Sequence, residues 1–387
     1  MLFWASGLPW REANLWFLER RQQEQRSSKT ILSNAQSLHA YAKWLEHEDV
    51  DWRHFPQRKA DRCLVRFRGA LVKARDAQEL ASSTASARMR TVIAFYRWLY
   101  SQGLMTWNSL PWTDQTHSIR ITTDVGIERT LLVQSTDLSI PRRRLSGTRL
   151  EEGLVPLSPS VRDDFLTFAS KSAPLELTLM LLLGFFTGMR LGSICGLKTA
   201  TLNYATPDPL AKDIWRLAIG PDAQPPVPTK FGVNGQPVIP SLLLDHLKEY
   251  AISARRLQRA KIAPHALQNN LFLSRHGNEY CERDVNKSPS VNVALFRLRT
   301  AAVAAGIPVY GFKFHDSRAT FGTVVADHAI RNGGAVNALS VVKGLLLHKD
   351  EATSLKYIKF VEETPIKEQL ANDFTIEFLR PLEALNV

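Results

Sequence analysis

The stretch TGMRLGSICGL, residues 187–197, follows the apolar run LELTLMLLLGFF at 175–186. The run reads as a buried helix, and Thr187-Gly188 ends it, because glycine tolerates the left-handed backbone of a helix stop. A second helix then starts around Arg190, with Leu191, Ile194 and Leu197 inward at helical spacing. An arginine at a sharp junction between two buried helices must either enter a site or join an ion pair, since an uncompensated buried charge is costly.

Two later stretches carry side chains of the same kind. In FKFHDSRATFGT (312–323), His315 and Arg318 stand three apart, on one helical face beside Phe314 and Phe321. In LLLHKDEATSLKYIKF (345–360), a leucine run ends on His348, and a tyrosine, Tyr357, follows nine residues later among lysines. Such a tyrosine either packs on an amphipathic face or serves as a nucleophile for a negatively charged substrate.

The chain outside these stretches narrows the choice. Its 387 residues are comfortable for two domains. Formal charge is +12, and residues 1–150 hold 23 Lys+Arg against 14 Asp+Glu, net +9, leaving net +3 for the rest. A polyanion fits that asymmetry, nucleic acid ahead of a membrane surface. The apolar run at 175–186 is too short for a bilayer and contains Glu176. The start, MLFWASGLPW, lacks the basic opening and cleavage site of a signal peptide. Cys63, Cys195 and Cys281 are far apart and odd in number, which implies a reducing compartment with no disulfide framework. His276 and Cys281 lack a second pair at zinc spacing, no carboxylate cluster suits Mg²⁺, and no Gly-rich phosphate loop occurs. No cofactor or metal is therefore expected.

Helical periodicity recurs at 28–47 (Ile31, Leu38, Tyr41, Ala42, Leu45) and at 58–76 (Leu64, Phe67, Leu71). A third helix starts after Ser82, Ser83 or Thr84, buries Met89, Val92, Ile93, Tyr96 and Leu99, and ends at Gly103. These helices make a small bundle over 28–112, behind an N-terminal extension at 1–27. Lys59, Arg62, Arg66, Arg88 and Arg90 lie on its outer faces and are candidate DNA contacts. Residues 113–155 lose the periodicity and read as a basic linker with some extended structure, where Arg142, Arg143 and Arg144 are suited to a DNA backbone. From 156 to 387 the pattern is again mainly helical, restarting behind Ser158 or Ser160 as cap. One short β region interrupts it, IWRLAI (214–219) and residues 227–240 about the turn GVNG. The expected fold is mainly α with a small β-sheet.

Together the three stretches resemble the boxes of the tyrosine recombinase (phage integrase) family. TGMRLGSICGL is similar to its first arginine box, HDSRATF to its His-x-x-Arg box, and LLLHKDEATSLKYIKF to its closing histidine and tyrosine box. The order Arg, His-x-x-Arg, His, Tyr also agrees, and residues 28–112 resemble the family's helical core-binding domain, with 156–387 its catalytic domain. Ser193 stands where the family usually has an acidic residue, and Leu346 or Leu347 where glycine normally precedes the histidine.

The resemblance implies a cofactor-free DNA strand-exchange enzyme working through a 3′-phosphotyrosyl intermediate, with Tyr357 as nucleophile and Arg190, Arg318, His315 and His348 around the phosphate. Lys230 fits the family's hairpin lysine, the general acid for the leaving oxygen, with Lys212 a nearby competitor. The chemistry is independently sensible. Paired guanidiniums hold a phosphodiester through planar donors and keep their charge. A cationic surround favours the phenolate of a group whose free pKa is about 10. The implied partners are double-stranded DNA, a homotetramer on paired sites from a free monomer or dimer, and accessory DNA-bending proteins, with a cytoplasmic, nucleoid-associated location. The alternatives are a type IB topoisomerase-like relaxase and a catalytically silent DNA-binding protein of the same fold.

Overall fold

In the computed structural model, the apolar positions of the N-terminal third line up on helices as their spacing requires. All residues are described except 23–27, 108–110, 123–127, 142–149, 151–152, 282–287 and 365–387. The chain divides into two units, Met1–Ser146 and Gly147–Val387.

In the first unit, α1 (Arg11–Gln22), α2 (Ser28–His47), α3 (Cys63–Asp76) and α4 (Ser82–Ser101) share one core. Leu38, Tyr41, Leu45, Leu64, Phe67, Met89, Val92, Tyr96 and Leu99 are all buried there. Each large apolar side chain removed from water contributes roughly 1.5–3 kcal/mol. Residues 1–22, read from the sequence as an extension, add Trp10, Ala13, Trp16 and Phe17 to the same core. Tyr41 and Tyr96 meet through their hydroxyls at 2.9 Å, and burial pushes both well above the usual tyrosine range. Residues 113–155, read as a linker, contain an antiparallel hairpin of β1 (Asp114–Thr122) and β2 (Glu128–Thr136), with Asp114 opposite Thr136.

The second unit is mainly helical: α5 (Pro159–Ser172), α6 (Leu175–Thr187), α7 (Leu191–Cys195), α8 (Thr199–Asn203), α9 (Ser241–Ile252), α10 (Ala254–Ile262), α11 (Pro289–Ala304) and α12 (Phe314–Leu346). Ser158 is the cap of α5, its hydroxyl accepting from the Val161 amide at 3.3 Å. α6 is buried nearly all round, with Leu177, Met180, Leu181, Leu183 and Phe185 in the main core. Its one carboxylate, Glu176, takes Nε and Nη2 of Arg255 at 2.7 and 3.0 Å, Arg259 Nη1 at 2.7 Å and the Tyr250 hydroxyl at 3.1 Å. A buried charge persists because these donors surround it. α12 is broken at Gly334, whose φ is 73° and ψ 169°. A further helical run covers 351–364.

The sheet has three short antiparallel strands, β3 (Thr206–Pro207), β4 (Ile214–Arg216) and β5 (Val238–Pro240), in that spatial order. The turn read at GVNG does not join them. β4 leads to β5 through a long loop in which Ile219 bridges Gly235 and Gly220 bridges Val227, so the chain reverses earlier and Lys230–Gly232 forms a 3₁₀ turn.

Candidate active site

Gly188 creates the site's central corner. It ends α6 with φ 65°, and a β-carbon there would lie 2.5 Å from Phe321 Cδ1 and 2.8 Å from Leu346 Cδ2. Glycine is needed for the backbone sign and for the close approach alike. Arg190 is thereby set as the N-terminal flanking residue of α7, half-buried, with Ile194 and Leu197 fully buried behind it.

Arg318 arrives from the second turn of α12. It is 3% exposed and donates Nη1 to the Gly188 carbonyl at 2.7 Å and Nη2 to the Leu346 carbonyl at 2.6 Å. One guanidinium thus joins the α6–α7 corner to the end of α12. His315, three residues earlier, is half-buried. Between them Asp316 accepts from the Lys313 amide at 2.7 Å and the Val155 amide at 3.3 Å; burial raises its carboxyl above the usual range despite those bonds.

A single cleft is lined by Arg190, Arg318 and Lys230, together with Ser193, Thr229 and Leu346. Lys212, the competing lysine, is exposed and is not a lining residue of this cleft. Three cationic side chains on one small cleft suit an anion, and guanidiniums offer it planar, paired donors.

His348 and Tyr357 sit beside the cleft with their rings in tilted contact. Their ring centroids are 5.6 Å apart with planes tilted by 32°. The two are 6% and 0% exposed. His348 Nδ1 pairs with the Ser354 hydroxyl at 2.9 Å. Ser354 was not anticipated from the sequence, although it lies one helical turn before Tyr357, on the same face. Leu347 precedes His348 in a left-handed conformation (φ 50°, ψ 51°), at a place where glycine is usual in the family the sequence resembles. Tyr357 does not line the cleft. It packs with Leu154, Ala319, Val342, Leu346 and Ile358, so tightly against Gly322 that a β-carbon there would lie 2.4 Å from its Cε1.

The basic residues of the first unit are less free than their spacing implied. Lys59 pairs with Asp137, and Arg66 Nη2 meets Glu48 at 3.2 Å. Arg62 donates Nε to the Pro56 carbonyl at 3.1 Å and reaches the Gln57 and Pro111 carbonyls at 3.4 Å. Arg90 lines a depression with Arg97 and Ser139, and Arg88 another with Gln36 and Thr84. Arg142, Arg143 and Arg144 lie outside the described residues. Among the described residues, no group of three His, Cys, Asp or Glu side chains is placed to hold a metal ion, and no helix is long and apolar enough to cross a membrane.

Residues 14–103 match the family model for the phage integrase N-terminal SAM-like domain. No curated protein matches the chain. Among solved structures, the XerH site-specific recombinase bound to palindromic difH substrate aligns at TM-score 0.52 and 15% identity, covering 90% of this chain and 79% of that one. The Tn1549 transposon integrase in complex with circular intermediate DNA aligns at TM-score 0.54 and 14% identity, covering 89% and 94%. The fold is that of the tyrosine recombinases. A lambda integrase dimer bound to a COC′ core site aligns at TM-score 0.51 and 14% identity, covering 90% and 94%. In this tyrosine-recombinase fold the first unit holds the SAM-like helical domain, and the second holds the cleft and the His348–Tyr357 pair.

Proposed function

We propose that the chain is a site-specific DNA recombinase of a mobile genetic element, which cuts and rejoins strands through a 3′-phosphotyrosyl intermediate. The observation that carries this reading is the convergence of Arg190, Lys230 and Arg318 on one cleft beside the tilted ring pair of His348 and Tyr357. In the reaction, Tyr357 loses its phenolic proton to solvent, helped by the cationic surround, and Oη attacks the scissile phosphorus. A phosphotyrosyl ester forms, the bond to the 5′-oxygen breaks, and Lys230 protonates that oxygen as it leaves. Arg190 and Arg318 offset the charge that grows on the non-bridging oxygens, which lowers the barrier more than any other interaction in such a step. A guanidinium carries five N–H donors, and anchoring two of those of Arg318 on carbonyls fixes its plane beforehand. His348, oriented by Ser354, and His315 are assigned to the phosphate's surround from the resemblance, although neither lines the cleft. Because the ester stores the energy of the broken bond, no nucleotide cofactor is needed for rejoining.

In this conformation Tyr357 is held against Gly322, so attack requires the 351–364 helix to move the ring into the cleft. We assign that movement to assembly on DNA as a tetramer, with residues 366–385, outside the described part, as the segment that reaches a neighbouring subunit.

The test is a duplex nicked close to the cleavage point, so that the freed fragment diffuses away and the covalent adduct accumulates. The expected result is a denaturation-resistant protein–DNA adduct between the full chain and duplexes from the junctions of the element that carries the gene. Absence of adduct on bound DNA favours a catalytically silent binder. Adduct together with relaxation of supercoiled plasmid by the monomer favours the relaxase.

A further inference from the structure

The loop between β4 and β5 ends in a feature that the chemistry above does not use. Phe231 is 73% exposed at its tip, with φ 66° and ψ 16°. A bulky residue in that left-handed region is an outlier, and such strain gathers where a side chain must be aimed. The aim is braced. Thr229 donates its hydroxyl to the Val233 carbonyl at 2.7 Å, closing the turn around Phe231, and the loop's Gly235 is seated against the Leu347 side chain. Two ammonium groups lie over the ring, Lys230 Nζ at 5.3 Å and Lys349 Nζ at 5.9 Å from its centroid. Lys230 lines the cationic cleft, and Lys349 follows His348 in the chain.

We propose that Phe231 is a base-stacking wedge, which takes an unstacked base next to the phosphate held in the cleft. The proposal rests on the DNA reading above and names how that site grips its substrate. An exposed aromatic ring with two ammonium groups close to it, beside a cleft that one of them lines, matches one surface chemistry well. Nucleic acid offers a π-face to the ring and phosphates to the lysines, whose flexible stems can turn outward and leave the ring open. An apolar ring inserted at a base step also opens the duplex locally, as minor-groove wedges do. A purely apolar protein partner would leave both ammonium groups unmatched.

The experiment uses the full chain and a pool of random-sequence duplexes carrying iododeoxyuridine, which links covalently to an aromatic side chain stacked on it when irradiated. The crosslinked peptides are then mapped by mass spectrometry. The expected result is a crosslink at Phe231 that Phe231→Leu abolishes and Phe231→Trp keeps, with Phe231→Leu binding the pool about 5-fold more weakly. A pool that binds and crosslinks only at other positions, or that binds Phe231→Leu as tightly as the native chain, overturns the wedge and leaves the DNA reading standing. A pool that does not bind overturns both.

Discussion

Arg318 spends Nη1 and Nη2 on backbone carbonyls, which makes it part of the frame as well as of the chemistry. Arg318→Ala is therefore expected to strand two buried carbonyls and cost roughly 2–5 kcal/mol of stability. Arg190→Ala, on a half-buried cap position, should cost less while impairing cleavage as severely. Urea denaturation of the two variants checks the contrast, and equal losses would mean the Arg318 bonds are incidental. Gly322 is the second residue that decides something. Gly322→Ala forces a β-carbon into the Tyr357 ring, so it should cost about 1–3 kcal/mol and loosen the 351–364 helix, read as faster proteolysis there. An unchanged melting point and digestion pattern would show that the ring is not held as described. The ordered set Arg190, His315, Arg318, His348 and Tyr357 was legible as a motif, and of it the structure brings Arg190 and Arg318 onto the cleft, while His315, His348 and Tyr357 do not line it. The seat of Tyr357 on Gly322 was not legible, since packing between separate elements leaves no trace in local spacing. Nor were the carbonyl acceptors of Arg318, because every residue has a carbonyl.

Among the elements, α2 begins at Ser28 where periodicity puts it and α5 at Pro159 behind its Ser158 cap, whereas α4 begins at Ser82 itself, flanked by Ala81, so none of Ser82, Ser83 or Thr84 caps it. The β4–β5 loop was harder to read, because GVNG has the composition of a hairpin turn while the pairing of Ile219 with Gly235 moves the reversal upstream. α6 carries the clearest energetic consequence. Burial raises the Glu176 carboxyl, but the hydrogen bond from Arg255, the backbone and the two arginine charges outweigh it and hold the group below the usual carboxylate range. A carboxyl with a depressed folded-state pKa stabilises the fold above its unfolded value, about 4.3, and that contribution is lost as pH falls through the folded value. Glu176→Gln is thus expected to be less stable than the native chain at neutral pH, with the gap narrowing in acid below about pH 4. Denaturant titrations across that range check it. A gap independent of pH would assign the loss to shape rather than charge.

At the scale of the whole molecule, the excess charge lies in residues 1–150, net +9 of the total +12. Lys59, Arg62 and Arg66 already have partners within the chain, which shifts the weight of backbone binding toward other cations. Replacing Arg142, Arg143 and Arg144 with Glu should weaken binding to all sequences alike and reduce the salt slope by roughly 0.9 for each phosphate left unneutralised. A defect confined to one target sequence would contradict the backbone role.

The proposed reaction depends on the oxygen of Tyr357 becoming the link to DNA. The direct measurement is to digest the covalent adduct with protease and nuclease and sequence the nucleotide-bearing peptide by mass spectrometry. The account predicts a single modified peptide from LLLHKDEATSLKYIKF with the nucleotide on Tyr357, and no adduct from a Tyr357→Phe chain that still binds DNA. A nucleotide on any other residue, or an adduct formed by Tyr357→Phe, would contradict it.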